Sequence, residues 1–283
     1  MANRRARIGG GASLIFALFA LWGCLNTGYH RTGPPPPPVS ADNPLTVMSF
    51  NIRMGLGQEP GKDIYNMNWG QELDGVIAAI RSVDPDIVGL QEVAGHSQIY
   101  RIAKALNMNY AFEWHGSKFS ESPWWGVGIL SKYKIKSARG SHISLAPSKN
   151  IVIATVDAGG RDLMFVSVHK DHRLRDGRSI TNILENVENA NMPVVLIGDF
   201  NIYPTDPRLE RIKERFHDTA IAVDTENAKH VLERGTFGLW GRRIDYVFAE
   251  KEHFSVLDAA LVPLEHHRAS DHLAYYSRLT LKR

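Results

Sequence analysis

Cysteine is almost absent from this chain of 283 residues: Cys24 is the only one, so no disulfide can form within the chain. No cysteine accompanies the neighbouring histidines His169 and His172, so a zinc site is not indicated there. No segment repeats at a fixed period. The apolar share of 43% and the charged share of 22% are those of a soluble globular protein. They exclude a fibre, a wholly disordered chain and a polytopic membrane protein.

A strong net charge is also missing. The chain has 33 basic and 30 acidic residues, and three of the basic ones lie in residues 1–23, which contain no acidic residue. The remainder therefore carries 30 residues of each sign. A neutral domain gives no support for tight nonspecific binding of nucleic acid, which depends on many Lys and Arg contacts to phosphates. A local basic patch stays open.

The N-terminal segment predicts export. A basic start precedes an almost continuously apolar stretch, Ala12–Trp22, which is shorter than the roughly 20 residues that cross a bilayer. This pattern is typical of a secretory signal peptide, here over residues 1–23. Leu21-Trp22-Gly23-Cys24 resembles a bacterial lipoprotein box, in which the cysteine is lipidated and becomes the new N-terminus. We therefore expect an exported bacterial protein, anchored to a membrane of the cell envelope through lipidated Cys24. An uncleaved anchor and an ordinary signal peptide are the alternatives.

Five consecutive prolines, Pro34–Pro38, follow this segment. Such a run favours polyproline II and predicts a semi-rigid spacer of roughly 15 Å. We expect an anchor and linker over residues 24–43, whether the linker is extended or disordered, and one folded domain over residues 44–283.

Strand and helix patterns alternate along that domain. Strands are predicted over residues 45–50, 86–90, 126–130, 151–156, 163–168, 194–198, 244–248, 254–257 and 273–281. Helices are predicted over residues 73–83, 99–106, 180–187 and 209–216. The order mixes helical crossovers with adjacent strands, which favours a mixed or largely antiparallel α/β layout.

Polar side chains stand at the ends of several of these apolar strands. They are Asn51, Glu92, His169, Asp199, Asp245 and the pair Asp271-His272. Any one of them could be a turn residue, a solvated strand end or a hydrogen-bonded core histidine. Their shared position indicates a ligand site, because such sites gather at strand ends in α/β sheets.

The chemistry of these residue types is compatible with one site. Asp199 and Asn201 are two residues apart, so in extended backbone both face the same side, where they can orient a water molecule and take its proton. Oxygen ligands such as those of Glu92 suit Mg²⁺ or Mn²⁺. His272 can transfer a proton near neutral pH, and Asp245 is a candidate for the carboxylate that orients it.

In these positions the sequence resembles the endonuclease/exonuclease/phosphatase superfamily, the deoxyribonuclease I-like hydrolases. The segments that carry the resemblance occur in the family's order: Ser49-Phe50-Asn51-Ile52-Arg53, Leu90-Gln91-Glu92-Val93, Gly126-Val127-Gly128-Ile129-Leu130-Ser131, Val168-His169, Gly198-Asp199-Phe200-Asn201, Arg243-Ile244-Asp245-Tyr246 and Ser270-Asp271-His272. Each string is weak alone, whereas the ordered set is specific.

The resemblance implies a four-layered α/β sandwich of two packed mixed β-sheets flanked by helices. It also implies Mg²⁺- or Mn²⁺-assisted hydrolysis of a phosphate ester. The metal ligands that it implies are Asn51, Glu92 and Asp271. The catalytic residues that it implies are His169, Asp199, Asn201, Asp245 and His272. Asp199 would deprotonate the attacking water, and the His272–Asp245 pair would contact the phosphate with His169.

The substrate stays open between nucleic acid and a phospholipid headgroup or another small phosphodiester. The alternative function is that of a noncatalytic envelope lipoprotein, which uses the same fold for binding. The sequence gives no basis for naming a protein partner. Arg242-Arg243 could contact a phosphate or pack within a strand, and Trp124, Trp125 and Trp240 could form a substrate rim or belong to the core.

Overall fold

The computed structural model describes residues 27–58, 72–116, 125–145, 148–238 and 241–282. The predicted signal peptide, Cys24, Trp124 and Trp240 lie outside these ranges. Within them, no helix is long and apolar enough to cross a bilayer.

The described chain forms strands in two sheets and five α-helices. The strands are β1 (Thr27–Gly28), β2 (Leu45–Asn51), β3 (Ile87–Val93), β4 (Asn109–Trp114), β5 (Gly126–Ser131), β6 (Lys134–Leu145), β7 (Ser148–Asp157), β8 (Asp162–His169), β9 (Val194–Asp199), β10 (Phe216–Asp218), β11 (Asp245–Glu250), β12 (Phe254–Leu261) and β13 (Tyr275–Leu281). The helices are α1 (Leu73–Val83), α2 (His96–Leu106), α3 (Arg178–Glu185), α4 (Glu210–Arg215) and α5 (Glu226–Arg234). Single 3₁₀ turns lie at Arg53–Gly55, Pro207–Leu209 and Leu264–His266.

Each sheet contains one parallel pair among antiparallel strands. The first sheet has seven strands in the order β1-β4-β5-β3-β2-β13-β12, and β2 pairs with β3 in parallel. The second has six strands in the order β10-β11-β9-β8-β7-β6, and β8 pairs with β9 in parallel. The predicted mixed topology is therefore confirmed.

Three apolar cores separate four layers. Val47 of the first sheet and Ile197 of the second lie in the core between the sheets. Helices α1 and α2 cover the outer face of the first sheet, and α3 and α4 cover that of the second. Burial of a side chain such as Leu90 or Leu196 stabilises the fold by roughly 1.5–3 kcal/mol. The predicted α/β sandwich of two packed sheets flanked by helices is confirmed.

The predicted elements are present with somewhat different bounds, and the helix predicted over residues 209–216 ends too late. Residues 207–215 turn as a 3₁₀ segment and α4, but Phe216 begins strand β10 and pairs with Glu250. Helical spacing groups Phe216 with Leu209 and Ile212, because all three side chains are buried in the same outer core. The pattern therefore marks a shared core and not a shared helix.

The proline-rich segment lies on the domain, where we expected a spacer. Thr27 pairs with Ala111 of β4, Tyr133 donates its hydroxyl to the carbonyl of Pro37 at 2.9 Å, and Val39 N donates to Ala158 O at 3.3 Å. We call residues 27–43 the N-terminal strap. Prolines are compatible with this docking, because they retain the carbonyl that accepts a hydrogen bond. Residues 27–43, predicted as part of a linker, thus contact the domain predicted over residues 44–283.

Candidate active site

The ends of the two parallel strand pairs bring the predicted side chains together. β2 ends at Asn51, and Glu92 lies one residue before the end of β3. β8 and β9 end at His169 and Asp199, and Asp245 opens β11 directly opposite Asp199. Because the two sheets pack face to face, these five side chains converge at one edge of the sandwich.

The remaining predicted residues join the same cluster. Asn201 follows β9 and donates its side-chain amide to Asp199 Oδ2 at 3.2 Å. The segment Ser270-Asp271-His272 is tied to β2 by the serine hydroxyl, which donates to the carbonyl of Asn51 at 2.8 Å. The structure therefore assembles all eight predicted site residues.

Left-handed backbone is concentrated around this cluster. Arg53, Glu92 and Asn201 have φ values of 44°, 53° and 51°. Such conformations cost a non-glycine residue about 1–3 kcal/mol each and persist where the surrounding structure enforces them. At Glu92 the cause is a bulge in the pairing with β5, between Leu90 and Val93, which leaves the residue out of register. Strain at the site residues Glu92 and Asn201, and at Arg53 two residues after Asn51, favours a functional role for the cluster.

Gly198 is required by the close approach of two site strands. A Cβ atom at this position would lie 2.0 Å from the carbonyl oxygen of Val168. Any side chain there would push β9 away from β8 and separate Asp199 from His169.

Asp199 lies at the centre of the cluster and is 1% exposed. Its Oδ1 accepts the backbone N–H of Asn201 at 2.8 Å, and its Oδ2 accepts the Asn51 amide at 3.2 Å. The Nε2 atoms of His169 and His272 lie 3.7 Å and 3.8 Å from the same Oδ2. Burial, and then the charge of Asp245, raise the pKa of Asp199 to about 7. This carboxyl group can therefore exchange a proton near neutral pH.

His272 is held by Asp245. Its Nδ1 donates to Asp245 Oδ2 at 2.9 Å, and its ring lies 4.6 Å from that of Phe237. Burial alone would lower the pKa of His272, but the attraction of Asp245, with Asp199 and Asp271, outweighs it and raises the pKa to about 10. The ring is thus a protonated donor whose Nε2 faces the centre of the site.

His169 has the opposite protonation state. Burial, and then the positive charge of Lys149, hold the pKa of His169 well below its ordinary value. Its Nε2 lies 3.9 Å from Glu92 Oε1. The cluster therefore combines a charged and a neutral imidazole next to the same carboxylate oxygen of Asp199.

Two of the three predicted metal ligands, Glu92 and Asp271, lie at the more open side of the cluster, whereas Asn51 is buried. The side chain of Glu92 is 18% exposed and that of Asp271 is 35% exposed, whereas those of Asp199, Asp245 and both histidines are 6% exposed or less. Burial, and then the negative charge of Asp271, raise the pKa of Glu92. A bound divalent cation would remove this repulsion, and carboxylate and amide oxygens are the ligands that Mg²⁺ and Mn²⁺ prefer. The donor set therefore fits such an ion.

A second group with metal-binding residue types overlaps this one. One ligand atom each from Asp199, Asp245 and His272 lie within 4.8 Å of one another. A metal there would have to displace the proton on Nε2 of His272, whose pKa is raised to about 10, while Nδ1 stays bonded to Asp245. The three residues are better described as an oriented acid–histidine pair facing a second carboxylate.

The sequence predicts no role for two buried residues of the site, Lys149 and His115, and leaves the role of Trp125 open. Lys149, at the start of β7, is 5% exposed, and its ammonium lies 5.1 Å from the Trp125 ring. The ammonium of Lys149 forms no hydrogen bond or ion pair with the described residues. His115 is buried at 2% exposure, 5.5 Å from the ring of His169. His115 follows an apolar strand, β4, as other site residues follow theirs, but the sequence pattern does not predict β4.

The two arginines before β11 have different environments. Arg243 is buried and binds both carboxylate oxygens of Asp218, at 2.7 Å and 2.6 Å. Removing one partner of such a buried pair costs about 3–5 kcal/mol, so Arg243 is a structural residue. Arg242 is exposed and lines a cavity of about 660 Å³ beside Asn201. Arg175, Arg208 and the imidazole of His172 also line this cavity.

Comparison with known proteins identifies the family. The sequence profile of the Endonuclease/Exonuclease/phosphatase family matches residues 48–272, a stretch that runs from β2 to His272. The chain belongs to this family. The resemblance drawn from the motifs is therefore confirmed, and the fold is that of an endonuclease/exonuclease/phosphatase protein.

Solved structures share the fold at low sequence identity. A family member from Bacteroides vulgatus superposes with a TM-score of 0.67 at 19% identity, covering 84% of this chain and 99% of the other. The catalytic domain of human nocturnin, solved with a bound sulfate anion, gives 0.65 at 17% identity, covering 84% and 95%. A mannosyl-6-phosphatase from Bacteroides thetaiotaomicron gives 0.60 at 21% identity, covering 83% and 99%.

Proposed function

We propose that the protein is a divalent-metal-dependent phosphodiesterase that uses a water molecule activated by Asp199. The observation that carries this proposal is the position of Asp199 Oδ2, 3.7 Å and 3.8 Å from the Nε2 atoms of His169 and His272. A carboxylate that titrates near neutrality beside a charged histidine can take a proton while positive charge meets the phosphate.

Each side chain of the cluster has a role in this proposed reaction. Asp199 takes the proton of the water, and Asn201 fixes the carboxylate through its backbone N–H. His272 donates from Nε2 to a phosphate oxygen, and Asp245 holds the ring in that orientation. Neutral His169, whose Nε2 also faces Asp199, donates a further hydrogen bond to the phosphate.

Lys149 supplies a second positive charge. Burial lowers the pKa of Lys149, and Glu92 is the first of the carboxylates that oppose this effect. A largely buried ammonium with no hydrogen-bond acceptor among the described residues can gain a charge-assisted hydrogen bond to a phosphate oxygen. We assign Lys149 to the binding of the scissile phosphate.

Asn51, Glu92 and Asp271 would hold Mg²⁺ or Mn²⁺. When bound, the ion would neutralise the charge that develops on the phosphate ester. For Asn51 this role requires the amide to turn over, because its nitrogen faces Glu92 at 3.1 Å while its oxygen accepts Arg53 N at 3.1 Å. Arg53 Nε, 3.6 Å from Asp271 Oδ2, would keep that carboxylate in place.

Nucleic acid and phospholipid headgroups are the two substrate classes that we propose. The cavity beside Asn201, with Arg175, Arg242 and the half-exposed ring of Tyr203, suits an anionic substrate that extends past the scissile phosphate. Export and lipidation of Cys24 would place the enzyme at a membrane of the cell envelope, where phospholipid is abundant. A panel of DNA, RNA, sphingomyelin, glycerophospholipids and phosphoinositides separates the two classes.

The activity can be tested on bis(p-nitrophenyl) phosphate with the full chain purified in detergent. We expect hydrolysis with Mg²⁺ or Mn²⁺ and its loss in EDTA. Glu92→Gln should raise the metal concentration needed for half-maximal rate, whereas the exposed control Glu188→Gln should not. Absence of hydrolysis with either ion, on this ester and on the whole substrate panel, would leave the noncatalytic lipoprotein as the remaining function.

A further inference from the structure

The first residues of the N-terminal strap lie beside an exposed face of helix α2. Thr27 pairs with Ala111 of β4, and the Tyr29 ring meets the Tyr100 ring of α2 edge-on, with centroids 6.3 Å apart. Asn107, which caps the C-terminus of α2, accepts Thr32 N at 2.9 Å and donates to Thr32 O at 2.9 Å. The strap therefore runs along the helix and holds the start of the described chain against it.

That face of α2 carries positive charge and an aromatic ring. Tyr100 is 43% exposed, and Arg101 and Lys104 are exposed beside it. The helix contains no acidic residue. Arg81 of α1 adds a further cation, because its guanidinium donates to the carbonyl of Ala105 at 3.0 Å. Within the described ranges none of these three cations forms an ion pair.

The length of chain before the strap limits how far this face can lie from the anchor. Cys24 precedes Thr27 by three residues, and three residues span at most about 10 Å. A lipid on Cys24 would therefore hold the strap edge of the domain at the bilayer surface. A free spacer over residues 24–43 would have imposed no such limit.

We propose that the outer face of α2, with Arg81, Tyr100, Arg101 and Lys104, binds the surface of an anionic phospholipid bilayer. This assignment depends on the proposed lipidation of Cys24 and not on the proposed phosphodiesterase reaction. Exposed cations are attracted to the negative surface of an anionic membrane, and a tyrosine ring suits the headgroup layer. Helix α2 begins four residues after Glu92, so the helix that carries this face directly follows the strand that carries a proposed metal ligand.

The proposal can be tested with the full lipidated chain in vesicles. Ser97→Cys adds one thiol to the exposed face of α2, and Leu232→Cys adds one to α5, which packs on β12 at the opposite edge of the first sheet. Each thiol is labelled with an environment-sensitive fluorophore, and the vesicles contain spin-labelled phosphatidylcholine as quencher. We expect several-fold stronger quenching at position 97 than at position 232, and a further increase when phosphatidylglycerol is added.

Charge reversal provides the second arm. Arg101→Glu with Lys104→Glu should remove the added effect of phosphatidylglycerol, whereas Lys229→Glu with Arg278→Glu, matched in net charge on the β12 side, should not.

Equal quenching at the two labelled positions, or displacement of the vesicles from this face by a DNA duplex, would overturn the proposal. Maleimide labelling of Cys24 in the wild-type chain would overturn it as well, because an acylated cysteine has no free thiol. Loss of phosphodiesterase activity alone would bear only on the proposed function.

Discussion

Asp245 and His272 form a hydrogen bond of 2.9 Å that joins the first strand residue of β11 to the loop before β13. The bond occupies Nδ1 of the ring, so Nε2 is the atom that faces Asp199. The carboxylate both orients the imidazole and keeps it charged.

The pH dependence of kcat/KM should be bell-shaped. Asp199 must lose its proton to act as a base, and its pKa is raised to about 7, so activity should rise as pH increases through about 7. His272 must keep its proton to donate, and its pKa is raised to about 10, so activity should fall above that pH. Initial rates on bis(p-nitrophenyl) phosphate at saturating metal measure both limbs. A flat profile from pH 5 to pH 9 would contradict the role of Asp199.

Asp245→Asn should move both limbs of that profile to lower pH. The substitution removes the negative charge that raises the pKa of Asp199 and the pKa of His272. It should also lower kcat by about 100-fold or more, because an unoriented histidine is a poor donor. The exposed substitution Asp84→Asn serves as control. A change in rate without a shift of the limbs would show that Asp245 acts only through packing.

Lys149→Met should lower kcat/KM by roughly 10- to 100-fold, the loss expected for one charge-assisted hydrogen bond. Lys149→Arg retains the charge and should keep most of the activity, and the exposed substitution Lys134→Met should have no effect. The competitive inhibition constant of inorganic phosphate should rise in Lys149→Met alone. An unchanged inhibition constant would place Lys149 outside the phosphate site. Thermal unfolding checks that the variants are folded.

Lys170 should make stability depend on pH in the alkaline range. Its side chain is fully buried, and its ammonium donates to the carbonyls of Asp171 and Leu174 at 2.8 Å and 2.6 Å. Burial, and then the charge of Arg208, lower the pKa of Lys170 from 10.5 to about 8. Between these values the unfolded chain binds more protons, so the free energy of unfolding contributed by Lys170 rises with pH.

Urea unfolding of the wild type and of Lys170→Met at pH 7 and pH 10 measures this contribution. The difference in stability between the two chains should shift in favour of the wild type as pH rises. A difference that stays constant across this range would mean that the lysine has an ordinary pKa in the folded state.

The strand ends were the part of the site that the sequence could predict. Asn51, Glu92, His169 and Asp199 each follow an apolar run, and the run predicts the strand that positions them. These strands can be predicted without knowing which strands they pair with, because the apolar pattern that marks each one is local. The packing of two sheets then converts separate strand ends into one cluster.

Other parts depended on contacts between distant segments. Lys149 lies at the start of a strand like many lysines, and only the Trp125 ring and the nearby carboxylates distinguish it. The strap was predicted as a spacer because a proline run is extended with or without a docking surface. Its place on the domain depends on Tyr133 and Ala158, which lie about a hundred residues away.

The division of the site between two sheets has a consequence for refolding. Asn51 and Glu92 come from the first sheet, and His169, Asp199 and Asp245 come from the second. Neither sheet alone contains both the proposed ion ligands and the proposed base. Catalytic activity should therefore return only after the two sheets have docked, even where each sheet forms earlier. The rate at which enzyme turnover recovers during refolding then measures the docking of the two sheets.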